Sequence, residues 1–188
     1  MTYALHKEKK WVREMISYQA MNIHLNKIRL PETVEHILES KFDFTDAELE
    51  FINGANQFLR DYAGYENYKV KMVYCLGTCL FNFTRVGLYF LLEDEVLTIS
   101  TSNLKNLNGE DPDWRVRHFP FRIIEALELE IVENLNDHKY EAGILYVTVL
   151  NEKGIRRTNV LHNINPEHIH CFRDFYTNIM ENKRIRGA

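Results

Sequence analysis

Cysteine is scarce in this chain, and long hydrophobic runs are missing. The 188 residues hold three cysteines: Cys75, Cys79 and Cys171. An odd, sparse set does not build the disulfide framework of a small secreted domain. The longest apolar stretches reach about 8 residues, far short of the ~20 that a membrane span needs. The first residues, Met1 to Lys10, contain no apolar signal-peptide core. Together these absences predict a reducing, cytoplasmic setting. Catalytic signatures are lacking too. No Gly-x-Ser-x-Gly, no phosphate-binding glycine loop and no dinucleotide fingerprint occurs. The Asn- and Asp-rich stretch from Asn103 to Trp114 has a glycine, Gly109. Setting Gly109 at the glycine of a calcium loop puts Leu104 and Arg115 at ligand positions, which excludes an EF-hand. Strong charge of one sign is also absent: the net charge is -4. That balance gives no global pull toward nucleic acid or an anionic membrane.

Apolar and aromatic side chains, by contrast, are plentiful. Hydrophobic residues make up 45% and aromatics 12% of the chain, enough for a dense core. A globule of this length buries roughly 70% of its unfolded surface without staples. It suits one domain, or one small domain with a helical extension.

Three helices are predicted in residues 1–64. Residues 5–27 carry Trp11, Val12, Met15, Ile16, Tyr18 and Leu25 at helical steps. Leu30-Pro31 ends that helix, and Pro31 suits the first position of a short second one with Val34, Ile37 and Leu38 on its apolar face. Thr45-Asp46-Ala47-Glu48 is a capping box. It opens a third helix, 45–62, with Phe51, Ile52, Ala55, Phe58, Leu59 and Tyr62 on a broad apolar face, and Gly64 as its stop. A face that wide must be buried, and docking against the β region is the expected solution.

From about residue 68 the period changes to two. Val70, Met72 and Tyr74 alternate with Lys69, Lys71 and Val73. Strands are predicted at 79–84, 85–93 and 95–101, with Glu93-Asp94 at the turn between the last two. A polar loop follows from Ser102 to Asp113, which reads as a solvated turn or as a contact surface with exposed Trp114. Residues 115–124 read as a strand broken by Pro120. Leu127, Leu129 and Ile131 alternate with Glu128 and Glu130, which marks a half-buried strand with an acidic outer face. Residues 143–150 and 155–161 form a hairpin about Asn151-Glu152-Lys153-Gly154. Asn165 and Pro166 open a final helix with Ile169, Phe172, Tyr176, Ile179 and Met180 on one face.

Three stretches resemble the bacterial PH/GRAM-like branch of the pleckstrin-homology-like fold. Val86 to Ser100 is similar to that family's hairpin of an aromatic and a leucine-rich strand. His118-Phe119-Pro120-Phe121-Arg122-Ile123-Ile124, leading to Leu129, is similar to its central strand pair. Leu145 to Leu161 and the helix after Pro166 are similar to its closing hairpin and capping helix. The resemblance covers about two thirds of the chain and rests on fold pattern, not chemical motif. It implies an α+β chain in which residues 1–64 form a helical N-terminal region. Residues 65–188 then form a PH-like bent antiparallel sheet, or partial barrel, capped by a C-terminal helix. It also implies a binding scaffold, not a catalyst. Headgroup-binding members carry a basic cluster between their first two strands. Here Lys69, Lys71 and Arg85 are the only candidates and the Lys/Arg-x-Arg spacing is missing, which argues against lipid headgroups.

Side-chain chemistry adds little to that reading. Cys75 and Cys79 read as small buried hydrophobes. The alternative is a four-ligand set with His168 and Cys171, whose spacing is poor for zinc. Glu128 and Glu130 read as the polar half of an alternation, not an acid/base pair. His118 and His162 stand at strand ends with no sequence-local partner. Basic runs at His6–Lys10 and Asn182–Arg186 suit solvated helix ends, or an anion contact. No metal, cofactor or catalytic residue is predicted. The expected function is a non-enzymatic interaction module whose partner is another protein or a second copy of itself. Trp11, Met15, Trp114, Glu128 and Glu130 are its candidate contact residues. The alternatives are a mobile-element-type regulator acting on a basic nucleic-acid-handling protein, without binding nucleic acid directly, and an enzyme with an unrecognised site.

Overall fold

A computed structural model describes residues 21, 25, 27–39, 44–81, 85–102, 113–133, 141–151, 153–164, 170–178 and 181. Most of the expected first helix, with Trp11 and Met15, lies outside the described residues. Met21 and Leu25 are helical and buried.

The chain is α+β. After Pro31, Glu32–Thr33 (β1) and Val34–Glu39 (α1) precede the long helix Asp46–Asp61 (α2). Pro31 is therefore not the first residue of a helix. It leads into a two-residue strand instead, because β1 pairs antiparallel with Met72–Val73 (β2). The capping box of α2 is present: Glu48 accepts from the Thr45 N–H and from its hydroxyl, each at 2.7 Å. Gly64, with φ at 95°, does end the helical face, but it opens another short helix, Tyr65–Lys69 (α3), whose end overlaps the start of the expected period of two at about residue 68. The alternation over 70–74 also points the opposite way. Val73 is fully buried, whereas Val70, Met72 and Tyr74 are exposed. Pairing with β1 turns that face of the segment toward the helices, and hydropathy alone could not assign it.

Seven strands follow: Cys75–Phe81 (β3), Arg85–Leu91 (β4), Glu95–Thr101 (β5), Trp114–Pro120 (β6), Ile124–Glu133 (β7), Glu141–Leu150 (β8) and Arg156–Ile164 (β9). The first begins at Cys75, four residues before the expected start. A helix covering 170–178 (α4) comes last. The strands lie in the order β6-β5-β4-β3-β9-β8-β7, and every paired neighbour is antiparallel.

This order forces a bend. The outermost strands, β6 and β7, would sit roughly 29 Å apart in a flat sheet at ~4.8 Å per strand. Yet only the 3₁₀ turn Phe121–Ile123 joins them, and so few residues reach at most ~14 Å. The sheet must curl until its edges approach at that corner. Among the described residues they do not pair, and a seam separates β6 from β7.

Curling gives the sheet an inner and an outer face, each with its own core. Inside, Cys75, Cys79, Tyr89, Leu91, Val96 and Phe119 meet Leu145, Val147 and Leu161 from the other half. Phe172 of α4 plugs this core, and Tyr176 packs edge-on to Phe121 with ring centroids 5.8 Å apart. Outside, Leu76, Val86, Leu88, Phe90, Leu97 and Ile99 meet Phe51, Ile52, Ala55 and Leu59 of α2. The apolar face of α2 thus docks on the β region, each large side chain contributing about 1.5–3 kcal/mol. β4 and β5 are buried along their whole length. No helix among the described residues is long and apolar enough to cross a membrane.

Candidate functional site

β7 carries the surface that the helices leave open. It has ten residues and pairs with β8 on one side only. Along its other side, alternate backbone N–H and C=O groups face no strand among the described residues. Its side chains alternate as the sequence indicates from Leu127 to Glu130, but Ile131 does not continue the buried face. Leu127 and Leu129 lean on the inner core, half-buried because the seam is open beside them. Glu128 and Glu130 are exposed on the outer face, and Ile131 is exposed near the strand's end.

Local partners leave this row negative. Between Ile124 and Ala126 a bulge shifts the register, and Glu125 there accepts two hydrogen bonds from Arg156, both at 2.7 Å. That carboxylate is neutralised. Glu130 accepts from the Tyr146 hydroxyl at 2.8 Å, which keeps its charge. Glu128 makes no hydrogen bond or ion pair among the described residues. The Tyr146 phenol reports the local field: Glu130's hydrogen bond first, then partial burial and the charges of Glu130 and Glu128, push it above its ordinary value.

The other expected contact residues behave differently. Trp114 is not an exposed loop residue. It is the first residue of β6, half-buried on the outer face, with its ring 5.4 Å from Phe51 and 6.2 Å from Phe58. It serves as a packing wedge under α2. Trp11 and Met15 are outside the described residues. Cys75 and Cys79 are buried, and among the described residues no three His, Cys, Asp or Glu side chains are placed to hold a metal.

Two polar groupings had no local sequence signal. His118 is bracketed by distant residues. Its Nε2 lies 3.1 Å from the Tyr62 hydroxyl, and the Tyr68 ring is 4.9 Å away. Its Nδ1 lies 3.3 Å from Glu95 Oε2, off the line of a good hydrogen bond. Glu95, 5% exposed, also takes Lys71 at 3.0 Å. Burial pushes the Glu95 carboxyl up, but His118 and Lys71 outweigh it and hold it below the ordinary carboxylate range. This network ties α2 and α3 to the rim of the sheet. The second grouping is Arg85, buried where β4 begins. It donates to Asp113 Oδ2 at 2.6 Å, to the Ser100 carbonyl at 3.1 Å and to the Asp113 carbonyl. Burial first, and then the neighbouring Arg115 and Arg85, lower Arg117 from its ordinary value. Both groupings tie neighbouring elements together. No protein-family model matches this chain, and no curated protein matches it in sequence.

Proposed function

We propose that the chain is a non-enzymatic protein-interaction module that receives an extended, basic segment of another protein along the free edge of β7. A single observation carries the reading: a ten-residue edge strand at an open seam, with Glu128 and Glu130 exposed on one side and Leu127 and Leu129 on the other. An added strand would complete the backbone hydrogen bonds of β7. Its alternate residues would meet the two glutamates on the outside and the half-buried leucines on the inside. Lys or Arg alternating with Val or Ile fits both faces. A second copy fits less well, since an antiparallel β7–β7 pairing would set glutamate rows against each other. The acidic row also favours the basic tails of nucleic-acid-handling proteins over nucleic acid itself.

The β half is, in this reading, a PH-like scaffold. A seven-strand meander whose first and last strands pair, plugged at one end by a helix, supports it. The proposed setting is the reducing cytoplasm, which a chain with an odd, sparse set of three cysteines suits.

The test uses two fluorescent peptides, one alternating Lys and Val and one alternating Glu and Val. The Lys–Val peptide should bind, weaken with added salt and slow hydrogen exchange at β7 amides. Glu128→Lys with Glu130→Lys should weaken it at least tenfold while leaving the circular dichroism unchanged. Equal binding of both peptides, or unchanged exchange along β7, refutes the reading and leaves the glutamates as guards against edge-to-edge aggregation.

A further inference from the structure

Two cysteines far apart in sequence meet where α4 crosses the sheet. Cys75 opens β3 and is buried in the inner core, and Cys171 lies exposed on α4. Ring packing fixes the crossing. Tyr74, next to Cys75, lies against Phe175, about one helical turn beyond Cys171, with centroids 4.9 Å apart. Phe172, next to Cys171, is buried in the same cluster as Cys75. That turn of α4 therefore sits on the start of β3, which brings Cys171 to the side of Cys75. Cys79 is also in the inner core but fully buried, deeper along β3.

We propose that Cys75 and Cys171 form a redox-modification site, at which a peroxide joins the two thiols into a disulfide that fastens α4 to the sheet. The order of events follows from exposure. Burial, with Cys171 adding to it, pushes the Cys75 thiol up to about 12, so it is a poor first attacker. Cys171 meets the oxidant. Its sulfur attacks one oxygen of hydrogen peroxide and the O–O bond breaks. Cys171 becomes a sulfenic acid, and the departing hydroxide takes the thiol proton as water. The Cys75 sulfur then attacks the Cys171 sulfur. The S–S bond forms, the S–O bond breaks, and the Cys75 proton leaves with the hydroxyl as a second water. Two thiols lose two electrons in all and one peroxide gains them.

The oxidised chain would hold its plug covalently, whereas the reduced chain holds it by packing alone. This site is independent of the β7 edge. The experiment treats the full chain with hydrogen peroxide and maps its peptides by mass spectrometry without reduction. The free-thiol count should fall from three to one. Peptides containing Cys75 and Cys171 should appear linked, lighter by two hydrogens, and dithiothreitol should release them. Protease should cut 170–178 more slowly after oxidation. The linkage should survive Cys79→Ser and vanish in Cys171→Ser, an exposed position whose substitution spares the core. Recovery of Cys171 as sulfinic acid beside a free Cys75 overturns the proposal, and so does a disulfide between two chains or between Cys75 and Cys79.

Discussion

Gly54 lies in the middle of α2 and faces Trp114, and this pairing makes a sharp prediction. Glycine inside a helix is about 1 kcal/mol worse than alanine, so Gly54→Ala would ordinarily stabilise the chain. Here an added Cβ would lie 2.6 Å from Trp114 Cζ2. That is about 0.8 Å inside the 3.4 Å at which ordinary contact begins. The indole has little room to yield, since Phe51 and Phe58 flank it. Overpacking of this kind costs about 1–3 kcal/mol. Gly54→Ala should therefore destabilise by up to about 2 kcal/mol once the helix gain is subtracted. Trp114→Leu removes the ring and is destabilising in its own right. In that background the clash is gone, and Gly54→Ala should change sign, stabilising by up to about 1 kcal/mol. Urea unfolding followed by far-ultraviolet circular dichroism measures all four members of the cycle without relying on tryptophan emission. The docking of α2 on β6 is wrong if Gly54→Ala stabilises the native background, or if its effect is the same with and without the indole.

Three further outcomes follow from burial and charge. Phe172→Ala, which removes a side chain 2% exposed, should cost about 3–5 kcal/mol in urea unfolding, and a loss under 1 kcal/mol means that α4 does not plug the inner core. Glu95 has a folded carboxyl below its ordinary value, so its contribution is complete above the unfolded carboxylate range and disappears as pH falls through the folded value. The stability gap between the native chain and Glu95→Gln should thus be steady from about pH 5 to 9 and shrink below about pH 4, where a gap unchanged down to pH 3 would break the assignment. Lys71, which burial pulls down but hydrogen bonds to Asp94 and Glu95 raise further, should lose its own share only as pH climbs past the ordinary lysine range.

Much of this architecture was legible because the local signals agreed with the final packing. The capping box at Thr45, the turns at Glu93-Asp94 and Asn151–Gly154, and the alternation of Leu127 to Glu130 each act over a few residues. They survive into the structure for that reason. The errors fall where distant pairing overrides local pattern. β1 is two residues long and exists only because β2 lies beside it, so no window of sequence reveals it. The same pairing inverts the exposed face of 70–74. Trp114 follows a polar loop and looked solvent-facing, yet a helix some sixty residues earlier covers it. The His118 network joins residues from α2, α3, β5 and β6, and ion pairs of that span leave no periodic trace. Glu128 and Glu130 were legible as an acidic face. That β7 would be an edge was not, because strand order is set by the closing pairing of β3 with β9.

That closing pairing also decides where the proposed partner strand would enter. Val86-Gly87-Leu88-Tyr89-Phe90-Leu91-Leu92 is apolar without alternation, and the structure buries this strand on both faces, one under α2 and one inside the curl. Leu127-Glu128-Leu129-Glu130 alternates, and this stretch is half-buried on one face and exposed on the other. The two patterns sort the sheet into a half that needs a helical cover and a half that does not. The seam separates one edge of each kind. On the covered side, β6 lies beneath α2 through Trp114 and Val116 and ends at Pro120, which has no N–H to offer a new strand. On the uncovered side, β7 has ten residues and no proline. A strand entering the seam has its hydrogen-bonding row on β7, and the charge it must match is that of Glu128 and Glu130.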